Sequence, residues 1–167
     1  MKHLRLIGVA AASAVVAIAA FAFTGDAQTA GRTIVLKEAD KGSLFTIIDN
    51  PPLSKQGRDA PPAVTPGDQF VSAKRLLDPA GDRAGRIEAA CGAVKPARAL
   101  GAGAGYLCTG VAHLADGDLF LVARITPVDG PSDDRGVVTG GTGAYLGARG
   151  DFTMIGRPST DTFNILP

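Results

Sequence analysis

Residues 136–153 read Gly-Val-Val-Thr-Gly-Gly-Thr-Gly-Ala-Tyr-Leu-Gly-Ala-Arg-Gly-Asp-Phe-Thr. A short β-branched run meets three glycines in four positions, then an aromatic, then Ala-Arg-Gly. Glycine there permits positive φ or close backbone approach. Strand, glycine corner, strand is the pattern a tightly bent antiparallel sheet needs. The chain after residue 27 keeps to this pattern. Residues 33–38, 43–48, 70–77, 85–94, 106–114, 118–126, 136–139, 145–156 and 160–166 read as strands. Turn signals separate them at 39–42, 78–82 and 115–117, and Asp116-Gly117 between two apolar runs is a strong hairpin signal. Residues 127–135 read as turn-rich and acidic, and 96–105 as a flexible connection. No segment after residue 27 shows a helical period, so the prediction is an all-β sandwich or barrel with antiparallel pairing. The near-continuous apolar run Leu119, Phe120, Leu121, Val122 predicts burial on both faces.

The N-terminus has the order of a secretory signal peptide. Lys2, His3 and Arg5 precede an apolar, alanine-rich run over 6–23, and small residues follow at Gly25 and Ala27. Cleavage is expected after Ala27, leaving one secreted domain, 28–167, with no membrane segment. The competing reading is a retained anchor helix. Removing Lys2 and Arg5 from 17 basic residues, and Asp26 from 16 acidic ones, leaves 15 of each. With no basic block of five or more, the chain lacks the positive footprint of nucleic-acid binding.

Cys91 and Cys108 are the only cysteines, and in an exported chain they predict one disulfide, the alternative being two free buried thiols. The loop it closes contributes roughly 3 kcal/mol in the chain-entropy picture. His113 is the only histidine after residue 27, so no zinc set with ligand spacing exists. Residues 50–67 hold five prolines and two glycines. They cannot donate a regular ladder and predict a long surface loop, of the kind that is often functional.

Residues 140–150, Gly-Gly-Thr-Gly-Ala-Tyr-Leu-Gly-Ala-Arg-Gly, resemble the Gly-Gly-Thr-Gly-aromatic…Ala-Arg-Gly run of dirigent proteins. Residues 38–43 resemble the first-hairpin turn of the allene oxide cyclases. Gly67-Asp68, Leu77-Asp78, Gly85-Arg86-Ile87 and the turn 114–117 match in order and spacing, so the resemblance covers about residues 33–156. It implies an eight-stranded antiparallel β-barrel with an apolar lumen, often a homotrimer, binding a small hydrophobic molecule. The cyclases close an unsaturated epoxide into a ring, and dirigent proteins steer coupling of phenoxy radicals. Both hold one conformer of a reactive ligand, which is catalysis by orientation and needs no metal or organic cofactor.

In the cyclases the first strand supplies a lumen Glu and Asn, and the corresponding positions here are Val35 and Lys37. The lumen Asn of the strand after the long loop falls on Lys74, and a lumen cysteine falls on Cys91. By this comparison the ligand-binding residues are Val35, Phe70, Ser72, Lys74, Ala89, Leu121 and Ile125. Candidate catalytic groups are Lys74, Asp78 and Arg149. A lysine desolvated in an apolar lumen is a base, whereas one that snorkels to the mouth is not. Asp78 is either a general base or part of turn chemistry. Arg149 either anchors a carboxylate or pairs with Asp151. Glu88 is expected to face solvent or a neighbouring subunit, and His113 to be structural. The loss of the family's polar lumen residues keeps a second function open: a non-catalytic secreted module acting through its exterior. A lumen cavity of roughly 300 Å³ or more would favour ligand binding.

Overall fold

The computed structural model describes residues 31–39, 41–49, 63–99, 102–127 and 131–166. The leader 1–27 and residues 50–62 of the Pro-rich loop lie outside the described residues. Nine strands follow one another: β1 (Arg32–Glu38), β2 (Leu44–Ile48), β3 (Gln69–Leu77), β4 (Arg83–Lys95), β5 (Gly105–Leu114), β6 (Gly117–Ile125), β7 (Ser132–Gly141), β8 (Gly150–Gly156) and β9 (Ser159–Ile165). Every neighbour from β3 to β9 is antiparallel, β9 returns to β1, and β1 pairs with β3 to close the ring. The result is an eight-stranded antiparallel barrel.

Nine strands fill eight places because β1 and β2 share one. Both lie antiparallel along the same edge of β3, β1 through Lys37↔Leu77 and Glu38↔Leu76, β2 through Leu44↔Ala73 to Ile48↔Gln69. The turn expected at 39–42 therefore makes no hairpin. The chain loops out and resumes its direction, with Arg75 Nη2 donating to the Lys41 carbonyl at 2.6 Å. Beyond this point β2 keeps β3 but has left β9.

The glycine corner serves a specific contact. Gly117 at φ 144° and Gly143 at φ 57° bring the β5–β6 turn and the end of β7 into backbone contact. A Cβ on Gly117 would run into the Thr142 carbonyl oxygen, and one on Gly143 into that of Asp116. Thr142 N–H donates to the Asp118 carbonyl at 2.9 Å, and Ala144 N–H to that of Asp116 at 2.8 Å. Residues Gly143–Tyr145 thus form a 3-10 turn, not the start of a strand, and β8 begins only at Gly150. At the other end β7 starts at Ser132, inside the stretch read as turns. The Asp134 carboxylate there is buried and accepts from Thr126 N–H at 2.8 Å, which anchors the strand's start across the preceding loop.

Cys91 and Cys108 stand opposite each other on β4 and β5 and form a disulfide inside the barrel. Around them pack Val64, Phe70, Ala93, Ala104 and Tyr106. A larger cluster fills the other end, with Leu36, Leu76, Leu119, Phe152 and Phe163 among its members. Val64 is drawn in by paired hydrogen bonds with Ala97, so the last part of the Pro-rich loop is tied to the barrel.

Candidate ligand-binding site

Between the two clusters the barrel is not filled. A cavity of about 180 Å³ is lined by Phe45, Phe70, Ser72, Ile87, Ala89, Cys108, Gly110, Leu121, Ala123, Ile125, Phe152 and Met154, with Glu38 and Lys74 at one side. This is below the 300 Å³ expected of a drug-sized site and suits a smaller ligand. The space arises where adjacent strands present short side chains: Ser72↔Ala89↔Gly110 run along one row, Cys91↔Cys108↔Ala123 along the next. Phe70 stands edge-on to Tyr106 at 4.8 Å and lies 5.1 Å from Phe45 of β2, which is half exposed. Phe45 therefore marks the mouth.

Of the seven positions expected in the lumen, Phe70, Ser72, Lys74, Ala89, Leu121 and Ile125 line this cavity. Val35 does not. It is 40% exposed on the outer face, and the inward residues of β1 are Leu36 and Glu38. The correspondence placed Val35 and Lys37 inside, one residue out of phase with the pleat. A one-residue slip exchanges the two faces of a strand.

That phase puts a carboxylate into the lumen. Glu38, 6% exposed, forms an ion pair with Lys74 Nζ. Lys74 neither snorkels free nor sits unpaired. Asp161 of β9, between Leu36 of β1 and Met154 of β8 in register, is 0% exposed, and neither carboxylate oxygen has a hydrogen-bond partner. Burial, and then the Glu38 carboxylate, push its pKa up to about 8 against the opposing pull of Lys74. Burial of Asp161 beside a second carboxylate favours the neutral carboxylic acid, which can donate a hydrogen bond.

The remaining candidates lie elsewhere. Asp78 accepts from Asp82 N–H at 2.9 Å within the β3–β4 turn, as turn chemistry predicts. Arg149 donates to the carbonyls of Thr139 and Ala148, bracing the glycine corner. Its expected partner Asp151 accepts from Asn164 Nδ2 instead, at 2.8 Å. On the outer wall His113 Nδ1 lies 2.8 Å from Asp118 and Nε2 lies 3.5 Å from Glu88, which also pairs with Arg86. Among the described residues no group of His, Cys, Asp and Glu is arranged to hold a metal ion, and no helix is long and apolar enough to cross a membrane.

No family model matches the sequence, and no curated protein matches it by sequence. Solved structures do match by fold. Pyocyanin demethylase aligns over 80% of this chain and 99% of its own, with a TM-score of 0.57 and 20% identity. A nonspecific heme-binding cyclase of neoabyssomicin biosynthesis aligns over 80% of this chain and 62% of its own, at TM-score 0.51 and 16% identity. The Diels Alderase AbmU from Streptomyces koyangensis aligns over 81% and 63%, also at 0.51 and 16%. At these identities the likeness is one of fold.

Proposed function

We propose that this chain is a secreted barrel of the dirigent and allene oxide cyclase type. It binds a small hydrophobic metabolite in its lumen and steers that molecule's cyclisation or coupling. The observation that carries the reading is the apolar cavity with a Glu38–Lys74 pair at one side. Its walls select an apolar body, and the pair orients a polar end. Holding one reactive conformer is enough for acceleration by orientation. The names of the neighbouring barrels, a demethylase, a cyclase and a Diels Alderase, support a small-molecule role. Phe70, Ser72, Lys74, Ala89, Leu121 and Ile125 contact the ligand in this reading.

A second reading is favoured by the outer wall. Val71, Leu107, Phe120 and Val137 are apolar and exposed there. These residues suit contacts between subunits of a homotrimer, or with another protein, and a non-catalytic module would act through the same face.

Native mass spectrometry of the protein purified from its own culture medium tests both. A protomer mass equal to residues 28–167 supports export with cleavage after Ala27. A reproducible adduct of small-molecule mass supports the ligand barrel and supplies the molecule to identify. A species that takes up nothing from a crude lipid extract argues for the exterior module.

A further inference from the structure

Three ionisable groups meet at one side of the cavity, two lining it and one buried behind them, and only two neutralise each other. Lys74 of β3 pairs with Glu38 of β1. Asp161 is left over, fully buried, with both oxygens unpartnered. Glu38 and Lys74 are the charged groups that act on it, and β8 faces it with Met154. Buried polar groups are almost always hydrogen-bonded, so such an orphan needs an explanation. Two of its neighbours, Glu38 and Met154, form part of the cavity wall, while Asp161 itself has no exposed surface and lies one side chain behind that wall, where a swing of the flexible Met154 side chain would open it to a ligand atom. An organic cation would require two ionised carboxylates side by side in an apolar lumen. A neutral acceptor requires no further charge.

We propose that the Asp161 carboxyl donates a hydrogen bond to an oxygen acceptor on an uncharged ligand. The lumen then selects ketone-, ester- or ether-bearing hydrophobic molecules over hydrocarbons and over organic cations of the same shape. This rests on the reading of the lumen as a ligand site and narrows its substrate class. Once reached by a ligand oxygen, the Asp161 carboxyl would polarise it, as a general acid does.

The test uses three probes of one shape: indane, 1-indanone and 1-aminoindane, titrated into the full secreted protein by NMR. At pH 6 indanone is expected to bind about fivefold more tightly than indane, the worth of one neutral hydrogen bond. The advantage disappears at pH 9.5, where Asp161 is ionised. It is lost at both pH values in Asp161→Leu and kept in Asp161→Asn, whose amide N–H still donates. Should the leucine variant fail to fold, the pH series and the asparagine variant carry the test. Equal affinity for indane and indanone at pH 6, or tightest binding of the amine, overturns the assignment while leaving the ligand barrel intact. Binding of none of the three removes the ligand barrel and this inference with it.

Discussion

At the residue scale, the cavity exists because Ala89, Gly110 and Ala123 are small where Phe70, Ile87, Leu121, Ile125 and Phe152 around them are large. Ala89→Leu should fill part of that space. Stability is expected to hold or rise, by about 0.5–2 kcal/mol as for other cavity-filling changes, while uptake of indanone is abolished. Thermal melts and the NMR titration check the two halves separately, and undiminished uptake would mean the ligand sits elsewhere. Asp161 makes a prediction of opposite kind. Its folded pKa is raised to about 8, so between its ordinary value and about 8 the unfolded chain releases a proton that the folded chain retains. Stability attributable to this group therefore falls as pH rises across that window and is flat beyond it. Asp161→Asn should flatten the slope, as read from denaturation midpoints at pH 5 and pH 8. Neither Asp161 nor Glu38 was legible as a lumen residue in the sequence. Both β1 faces begin apolar (Ile34 and Leu36 on one, Val35 on the other), so alternation could not choose the phase. β9 reads Ser-Thr-Asp-Thr-Phe-Asn, polar at both parities, and its inward aspartate looks like its outward threonines.

At the element scale, the strands of the meander were legible because each is bounded by turn chemistry that the fold uses as written: Asp78 capping its own turn, Asp116-Gly117 making the tight β5–β6 connection. The exceptions are places where a long-range contact overrides a local signal. Residues 39–43 look like a hairpin turn, yet β3 takes both flanking strands on one edge. The consequence is that, among the described residues, β2 hangs on the barrel by a single ladder, with four exposed apolar residues, Leu44, Phe45, Ile47 and Ile48. A strand held on one edge opens at lower cost than one held on two, and Phe45 carries the mouth on such a strand. Phe45→Ala should remove one aromatic contact, about 0.5–1.5 kcal/mol, and leave the barrel folded. Release of bound indanone, followed by NMR exchange, should accelerate severalfold with little change in the association rate. An unchanged release rate would place the mouth at another part of the rim.

At the scale of the whole molecule, the two walls of the barrel divide the possible functions between them. The inner wall at the cavity is mostly apolar, with polar groups at Glu38, Lys74 and Ser72 and with Asp161 buried behind them. The outer wall carries an apolar patch across β5 to β7, where Val111 is opposite Phe120 and Val122 is opposite Val137, flanked by the charged cluster of Arg86, Glu88, His113 and Asp118 on one side and by Arg124 and Arg135 on the other. The sequence shows this as the unbroken run Leu119 to Val122, which a strand wet on one side would not carry. A monomer rarely leaves a large contiguous apolar patch in water, and closed symmetric assemblies are the usual way to cover one. Phe120, 39% exposed, sits within this patch and points away from the cavity. Phe120→Glu should therefore leave the fold and indanone binding intact while dispersing the assembly. Light scattering coupled to size exclusion should show the wild-type protein as a trimer and the variant as a monomer. If both proteins run as monomers, the outer face is free, and the exterior module gains the support that the trimer loses. If both run as trimers, the subunits meet through other residues, and the β5–β7 patch remains available to a different partner.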